Sequence, residues 1–190
     1  MRAKGDAGRR QTPCVILLMG VSGSGKSTIG RRLGAALGWP FRDADSFHPQ
    51  ANIDKMSRGI PLTDEDRAPW LEAIAAWIDE RLRNGESGVV SCSALKRAYR
   101  RVLRHGRIDA VGLVYLRGSF AVISVRMSRR KGHFMPPALL KSQFQTLEPP
   151  TRAERALVVS VRLPPKKVTE TIMAAFGLHP RRLMAPAGSR

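Results

Sequence analysis

Eight consecutive residues, Gly20, Val21, Ser22, Gly23, Ser24, Gly25, Lys26 and Ser27, satisfy the G-x-x-x-x-G-K-[ST] spacing of a phosphate-binding loop, and Thr28 follows as a further polar group. Glycines at those positions permit a tight turn whose backbone amides converge on phosphate oxygens, and the helix opening beside it adds its positive end. Lys26 is expected to reach the β- and γ-phosphates, where its charge meets the negative charge that develops during transfer. Ser27 is expected to ligate Mg²⁺ through its hydroxyl. A chance glycine-rich loop is a poor rival, because an apolar strand precedes the motif and a helical pattern follows it. The expected cofactors are therefore ATP and Mg²⁺. The loop alone does not separate a kinase from another nucleotide hydrolase.

The acceptor side must come from elsewhere. The later strands carry no apolar run ending in Asp: Val89-Val90 leads to Ser91-Cys92-Ser93, and Val111 to Leu116 leads to Arg117. The best-placed carboxylates are Asp43 and Asp45, at the carboxyl end of a short strand, where open α/β sheets bind ligands. Asp45 is the preferred base, orienting an acceptor hydroxyl and taking its proton. Asp43 reads as a turn-former, and either carboxylate could hold Mg²⁺ through water. His48, before Pro49 in the adjoining loop, suits a substrate hydrogen bond; the four histidines and two cysteines show no zinc-ligand spacing. Arg126 and Arg130 share a helical face, with Arg129 and Lys131 adjacent, and Gly132 breaks into His133-Phe-Met-Pro-Pro137. Such a basic helix end fits a lid over about residues 130–140, bringing Arg130 to the transferring phosphoryl group; a solvated basic turn is the plain alternative.

Elements that could position these groups alternate along the chain. Strands are expected over Cys14–Met19, Trp39–Arg42, Gly88–Cys92, Val111–Leu116 and Leu157–Val161. Helices are expected over Lys26–Leu37, Gln50–Arg58, Ala94–Leu103, from Ser119 towards Arg130, and over Lys166–Phe176. Thr63 reads as a cap with Asp66 three positions on, opening a helix whose Trp70, Leu71, Ile74, Trp77, Ile78 and Leu82 form one apolar stripe. The tryptophans read as core packing. This pattern predicts a three-layer α/β sandwich on a parallel sheet, one domain over 14–177, between basic tails at 1–13 and 178–190. Cys14 and Cys92 fall in strand runs and read as core thiols.

Thirty-three Lys and Arg against 15 Asp and Glu leave a net charge of +18. That excess predicts nonspecific attraction to nucleic acid at low salt, but it is scattered and lacks interleaved aromatics for base stacking. No stretch approaches the roughly 20 apolar residues of a membrane span, and the short apolar run after the basic amino terminus feeds a glycine loop, not a cleavage site; a cytoplasmic protein is expected.

Longer strings carry a resemblance to a known family. GVSGSGKST at 20–28, DADSFHPQANIDKMSRGIPLTDEDRAPWL at 43–71, SCSALKRAYRRVLR at 91–104, and YLRGSF with RRKGHFMPPALLKSQFQTLEPP within 115–150 resemble the bacterial-type gluconokinases over about residues 14–176. The resemblance implies a P-loop NTPase fold of nucleoside-monophosphate-kinase type with a lid, and transfer of the ATP γ-phosphoryl group to the 6-hydroxyl of D-gluconate. It implies that His48, Asn52, Lys55 and Met56 lie in the acceptor region, that Arg130 and His133 belong to the lid, and that a homodimer is possible. For the substrate carboxylate, Lys55, Arg58, Arg67, Lys96 and Arg97 are all candidates; His48 and Asn52 suit hydroxyls. The chain departs from the family at Ala44, where glycine is usual, and in the basic residues Arg152 and Arg155 and in Ser160. Rival readings are a kinase of another hydroxy acid or sugar, a nucleic-acid-binding protein and a non-catalytic P-loop module.

Overall fold

The computed structural model describes residues 14–58, 60–128 and 137–181. Five strands, β1 (Val15–Met19), β2 (Phe41–Asp43), β3 (Gly88–Ser91), β4 (Val111–Arg117) and β5 (Leu157–Ser160), form one sheet in the order β2-β3-β1-β4-β5. Every pairing is parallel, and Leu17 of β1 lies between Val90 of β3 and Leu113 of β4. A central parallel strand has both faces covered, which explains why β1 is apolar at every position. Ile16 and Leu18 face one core cluster, whereas Val15, Leu17 and Met19 face the other.

Helices supply the outer layers. The first cluster is filled by α1 (Lys26–Leu37) and α7 (Pro165–Ala175) through Ile29, Leu33, Val168 and Ile172. The second is filled by α3 (Asp64–Arg83) and α4 (Arg97–Arg104) through Trp70, Ile74, Ile78, Tyr99 and Leu103. Three further helices, α2 (Gln50–Ser57), α5 (Phe120–Ser128) and α6 (Pro137–Thr146), surround the carboxyl ends of the strands' connections. The expected sandwich is thus the observed one.

Differences from the sequence reading have local causes. The second strand is Phe41–Asp43, two residues later than expected, because Asp43 still pairs with Ser91 before its side chain caps the 3-10 turn Ala44–Phe47. Helix α4 starts at Arg97 and not at Ala94, whose φ of 45° is incompatible with a right-handed helix. Helix α6 was not expected at all. The folded part also runs past 177: Leu178 is buried, and the Arg181 amide donates to the Ala36 carbonyl. The tails at 1–13 and 182–190, and Arg129, Arg130, Lys131 and His133 of the expected lid, lie outside the described residues.

Candidate active site

The phosphate loop joins β1 to α1, and three of its glycines, Gly20, Gly23 and Gly25, take positive φ. Gly20 has φ of +144°, and a Cβ there would come within 2.9 Å of both the Leu116 carbonyl oxygen and Ser24 Oγ. Gly25 caps α1 with φ of +94°, in the left-handed region that favours glycine. Lys26 folds back along the loop, its Nζ donating to the carbonyl oxygens of Gly20 at 2.9 Å and Val21 at 3.1 Å. Burial pushes the Lys26 pKa down, against the opposing pull of Cys92, Asp45 and Asp43. A desolvated ammonium held over a ring of amides favours an anionic partner.

Asp43 does more than turn the chain. Its Oδ2 accepts from Ser27 Oγ at 2.6 Å, and its Oδ1 accepts from the Asp45 amide at 3.4 Å. One carboxylate therefore fixes the hydroxyl expected to meet Mg²⁺ and aims the loop carrying Asp45. These are hard oxygen donors, and a nucleotide-bound magnesium needs only one or two carboxylates beyond phosphate and water. No group of three or more His, Cys, Asp or Glu suited to a metal occurs among the described residues, so a protein cage is not offered there. Ser24 Oγ is buried without a hydrogen-bond partner in the same loop.

Asp45 is exposed, and its charge opposes the lowering of the Lys26 and His48 pKa values that burial causes. The His48 ring stacks on Trp70 with centroids 4.5 Å apart and planes 5° apart. Trp70 is itself buried, its indole N–H donating to the Ala44 carbonyl at 2.8 Å. Burial lowers the His48 pKa, Asp45 opposes that, and Arg67 adds to it. Asn52, also buried, donates to the Asp66 carbonyl at 2.7 Å and lies 3.5 Å from His48 Nδ1. Trp70 is core packing, as expected, and also a platform for His48, which sequence reading did not find.

The candidate anion holders separate. Lys55 binds both carboxylate oxygens of Asp66 at 2.6 and 2.8 Å, and Asp66 closes the expected capping box with Thr63. Lys96 is held by Asp64 at 2.5 Å. Arg58 donates to the Asp54 carbonyl, whereas Arg67 donates to the carbonyls of Leu62 and Thr63 and lies 3.7 Å from the Asp64 carboxylate. Arg97 offers its amide to Glu148 Oε2 at 2.6 Å, with an exposed side chain.

On the other side of the loop, a cavity of about 160 Å³ is lined by Ser24, Thr28, Ile29, Leu116, Val161 and Leu163. Arg126 also lines it, donating to the Val161 carbonyl. Gln143 of α6 reaches the loop at Ser22. The signal for α6 was present: Leu140, Phe144 and Leu147 recur at helical spacing, but the neighbouring Gly and Pro residues dominated the reading. Cys92 is a core thiol, as expected, whereas Cys14 is half-buried, and each lies one residue outside its strand; burial pushes Cys14 up to about 11 and Cys92 up to about 12.

The shikimate kinase family model matches residues 22–173. The thermosensitive gluconokinase of Escherichia coli (strain K12) is 46% identical over 176 residues, covering 92% of this chain and 94% of that one. The gluconokinase of Arabidopsis thaliana is 44% identical over 194 residues, covering 95% of this chain and 100% of its own. The crystal structure of a gluconokinase from Sinorhizobium meliloti 1021 superposes with a TM-score of 0.79 at 46% identity, over 87% of this chain and 93% of that one. A shikimate kinase from Aquifex aeolicus, 19% identical with a TM-score of 0.53 over 86% of this chain and 96% of that one, shares the fold. Identity of this order over nearly the whole length, on the same parallel sheet, makes the chain a member of the gluconokinase family within the shikimate-kinase-like P-loop kinases.

Proposed function

We propose that this enzyme transfers the γ-phosphoryl group of ATP to the 6-hydroxyl of D-gluconate, giving 6-phospho-D-gluconate and ADP. The observation that carries this reading is the Asp43 carboxylate, which joins Ser27 of the phosphate loop at 2.6 Å to the amide of Asp45 beside His48. The phosphate loop and the proposed acceptor loop are thereby linked through one side chain. Bound ATP, with Mg²⁺, supplies the transferable phosphoryl group. The loop amides and Lys26 hold its phosphates, Ser27 and, through water, Asp43 suit the metal, and the apolar cavity beside Thr28 suits the base.

Asp45 orients the acceptor hydroxyl and takes its proton. His48, kept in plane by Trp70, and Asn52 address the polyol hydroxyls. Arg67 is the proposed partner for the sugar-acid carboxylate, because Asp64 stands 3.7 Å from it, whereas Lys55 and Lys96 are bound at 2.6 and 2.5 Å by Asp66 and Asp64. A coupled ADP-release assay across gluconate, shikimate, glycerate and common sugars tests the assignment. Gluconate alone is expected to stimulate turnover; stimulation by a different acceptor, with none by gluconate, overturns it.

A further inference from the structure

Gln143 makes a contact that nothing in the phosphate-loop pattern requires. Its Oε1 accepts from the Ser22 backbone amide at 2.7 Å, and its Nε2 donates to Ser22 Oγ at 3.2 Å, across 121 residues of sequence. Both ends of one amide side chain are spent on one residue of the phosphate loop. The site is half-buried, and the helix carrying it is fixed independently. Leu140 is buried in the core, and the Phe144 ring packs edge-on against Phe120 of α5 at 5.6 Å. Helix α5 in turn lies on the loop, since a Cβ at Gly23 would sit 2.7 Å from Met127 Cγ.

Beyond α6, the chain is clamped to the start of α4. The Glu148 amide donates to the Leu95 carbonyl at 2.9 Å, Glu148 Oε2 accepts from the Arg97 amide at 2.6 Å, and Arg100 Nη1 donates to the Glu148 carbonyl at 3.0 Å. Besides its packing on α5 and the core, helix α6 is therefore tied to the phosphate loop and, through Glu148 just beyond its end, to the amino end of α4.

The chemistry at Gln143 is selective. A carboxylate could accept from the amide but could not donate to the hydroxyl, and its charge would oppose phosphate. An apolar side chain would leave the Ser22 amide without this partner. We infer that Gln143 is a positioning residue of the phosphate grip: it sets the orientation of Ser22 and ties α6 to the occupancy of the loop. The inference rests on the reading of the loop as a nucleotide site.

The test uses the full chain with Gln143→Ala, Gln143→Glu and Ser22→Ala. Binding of a nonhydrolysable ATP analogue is measured by calorimetry, with steady-state KM values for ATP and gluconate, melting temperatures, and hydrogen exchange of α6. Gln143→Ala is expected to weaken nucleotide binding about tenfold, from two lost neutral hydrogen bonds. Its KM for gluconate should stay at the parental value, and its melting temperature should fall by only a few degrees. Gln143→Glu should weaken nucleotide binding further, and Ser22→Ala, which loses only the hydroxyl arm, should weaken it less. The analogue should slow exchange of the α6 amides in the parent and not in Gln143→Ala. Unchanged nucleotide affinity in Gln143→Ala would overturn the inference, as would a loss shared equally by gluconate KM and melting temperature. If the parent bound no nucleotide, the loop reading would fail first, and that outcome is read separately from the variants.

Discussion

At the scale of single residues, the site places charge where burial makes it reactive. Lys26 is desolvated and satisfied only by loop carbonyls, so phosphate oxygens are its natural replacement partners. Lys26→Ala should lower kcat by about 10² to 10³, the range seen when one donor to developing charge is removed. Near-normal turnover in a coupled assay would refute the role. With Asp45 as the proposed acceptor base, Asp45→Asn should reduce kcat far more than nucleotide affinity; equal losses in both would move the base elsewhere. His48 offers a pH readout. Burial holds its pKa below the ordinary 6.5, outweighing the upward pull of Asp45, while Arg67 adds to the decrease. The unfolded chain therefore binds this proton more readily, and the ring's contribution to stability is lost as pH falls from 6.5 through the folded value. Imidazolium quenches a stacked indole, so Trp70 emission should drop on acidification with a midpoint below 6.5, and His48→Gln should abolish that step. A midpoint at or above 6.5 would contradict the stacked, partly buried ring.

At the scale of elements, one buried ion pair holds α4 to the segment that follows α6. Arg100 is 1% exposed and binds Glu154 through Nε at 2.6 Å and Nη2 at 3.0 Å, while Nη1 donates to the carbonyls of Ala94, Leu95 and Glu148. Arg104 adds donors to the carbonyls of Val111, Ile108 and Glu154. Burial alone would raise the Glu154 pKa, but hydrogen bonds from Arg100 and the Thr151 amide outweigh it and hold the carboxyl below 4.5. Its stabilising effect is present above that value and lost as pH falls through the folded pKa. Glu154→Gln strands a buried guanidinium and should cost about 3–5 kcal/mol in urea unfolding; a change within experimental scatter would show that the carbonyls alone suffice. This clamp also marks what sequence reading reaches. Buried parallel strands were legible because both faces demand apolar residues, and the Thr63 cap because its partner lies three positions away. Arg100 and Arg104 were not, since a basic helix reads as surface until Glu154, 54 residues from Arg100, is brought beside it. The phosphate loop was fully legible as a local string. The Gln143 and Trp70 contacts depend on packing between distant elements, and Ala44 shows the same limit: its methyl is buried and its carbonyl anchors Trp70, neither visible from a one-residue departure.

At the scale of the whole molecule, the charge of +18 must be reconciled with a small-molecule site. The 15 carboxylates are already counted in it, so ion pairs such as Arg100–Glu154, Arg107–Asp79, Arg155–Asp109 and Arg81–Glu86 leave the excess undiminished. Among the described residues, Arg31 and Arg32 are exposed on α1 and Arg97 and Arg101 on α4, so this part of the excess is divided between two helices. A net positive field raises the local concentration of any anion, and salt screens it over roughly 8–10 Å near physiological strength. Both substrates of the proposed reaction are anions, but magnesium-bound ATP carries more charge than gluconate. Raising KCl from about 20 to 300 mM should therefore lower kcat/KM for ATP several-fold and that for gluconate less. A short DNA duplex should bind the protein at the low end of that range and be released near 0.15 M, because contacts to phosphate alone lose affinity steeply with salt. Duplex binding that survived physiological salt, or that discriminated between sequences, would need base contacts, for which the exposed surface offers no aromatic platform among the described residues beyond Phe120. Such a result would assign the charge to nucleic acid, and an ATP dependence that ignored salt would remove its part in gathering substrate.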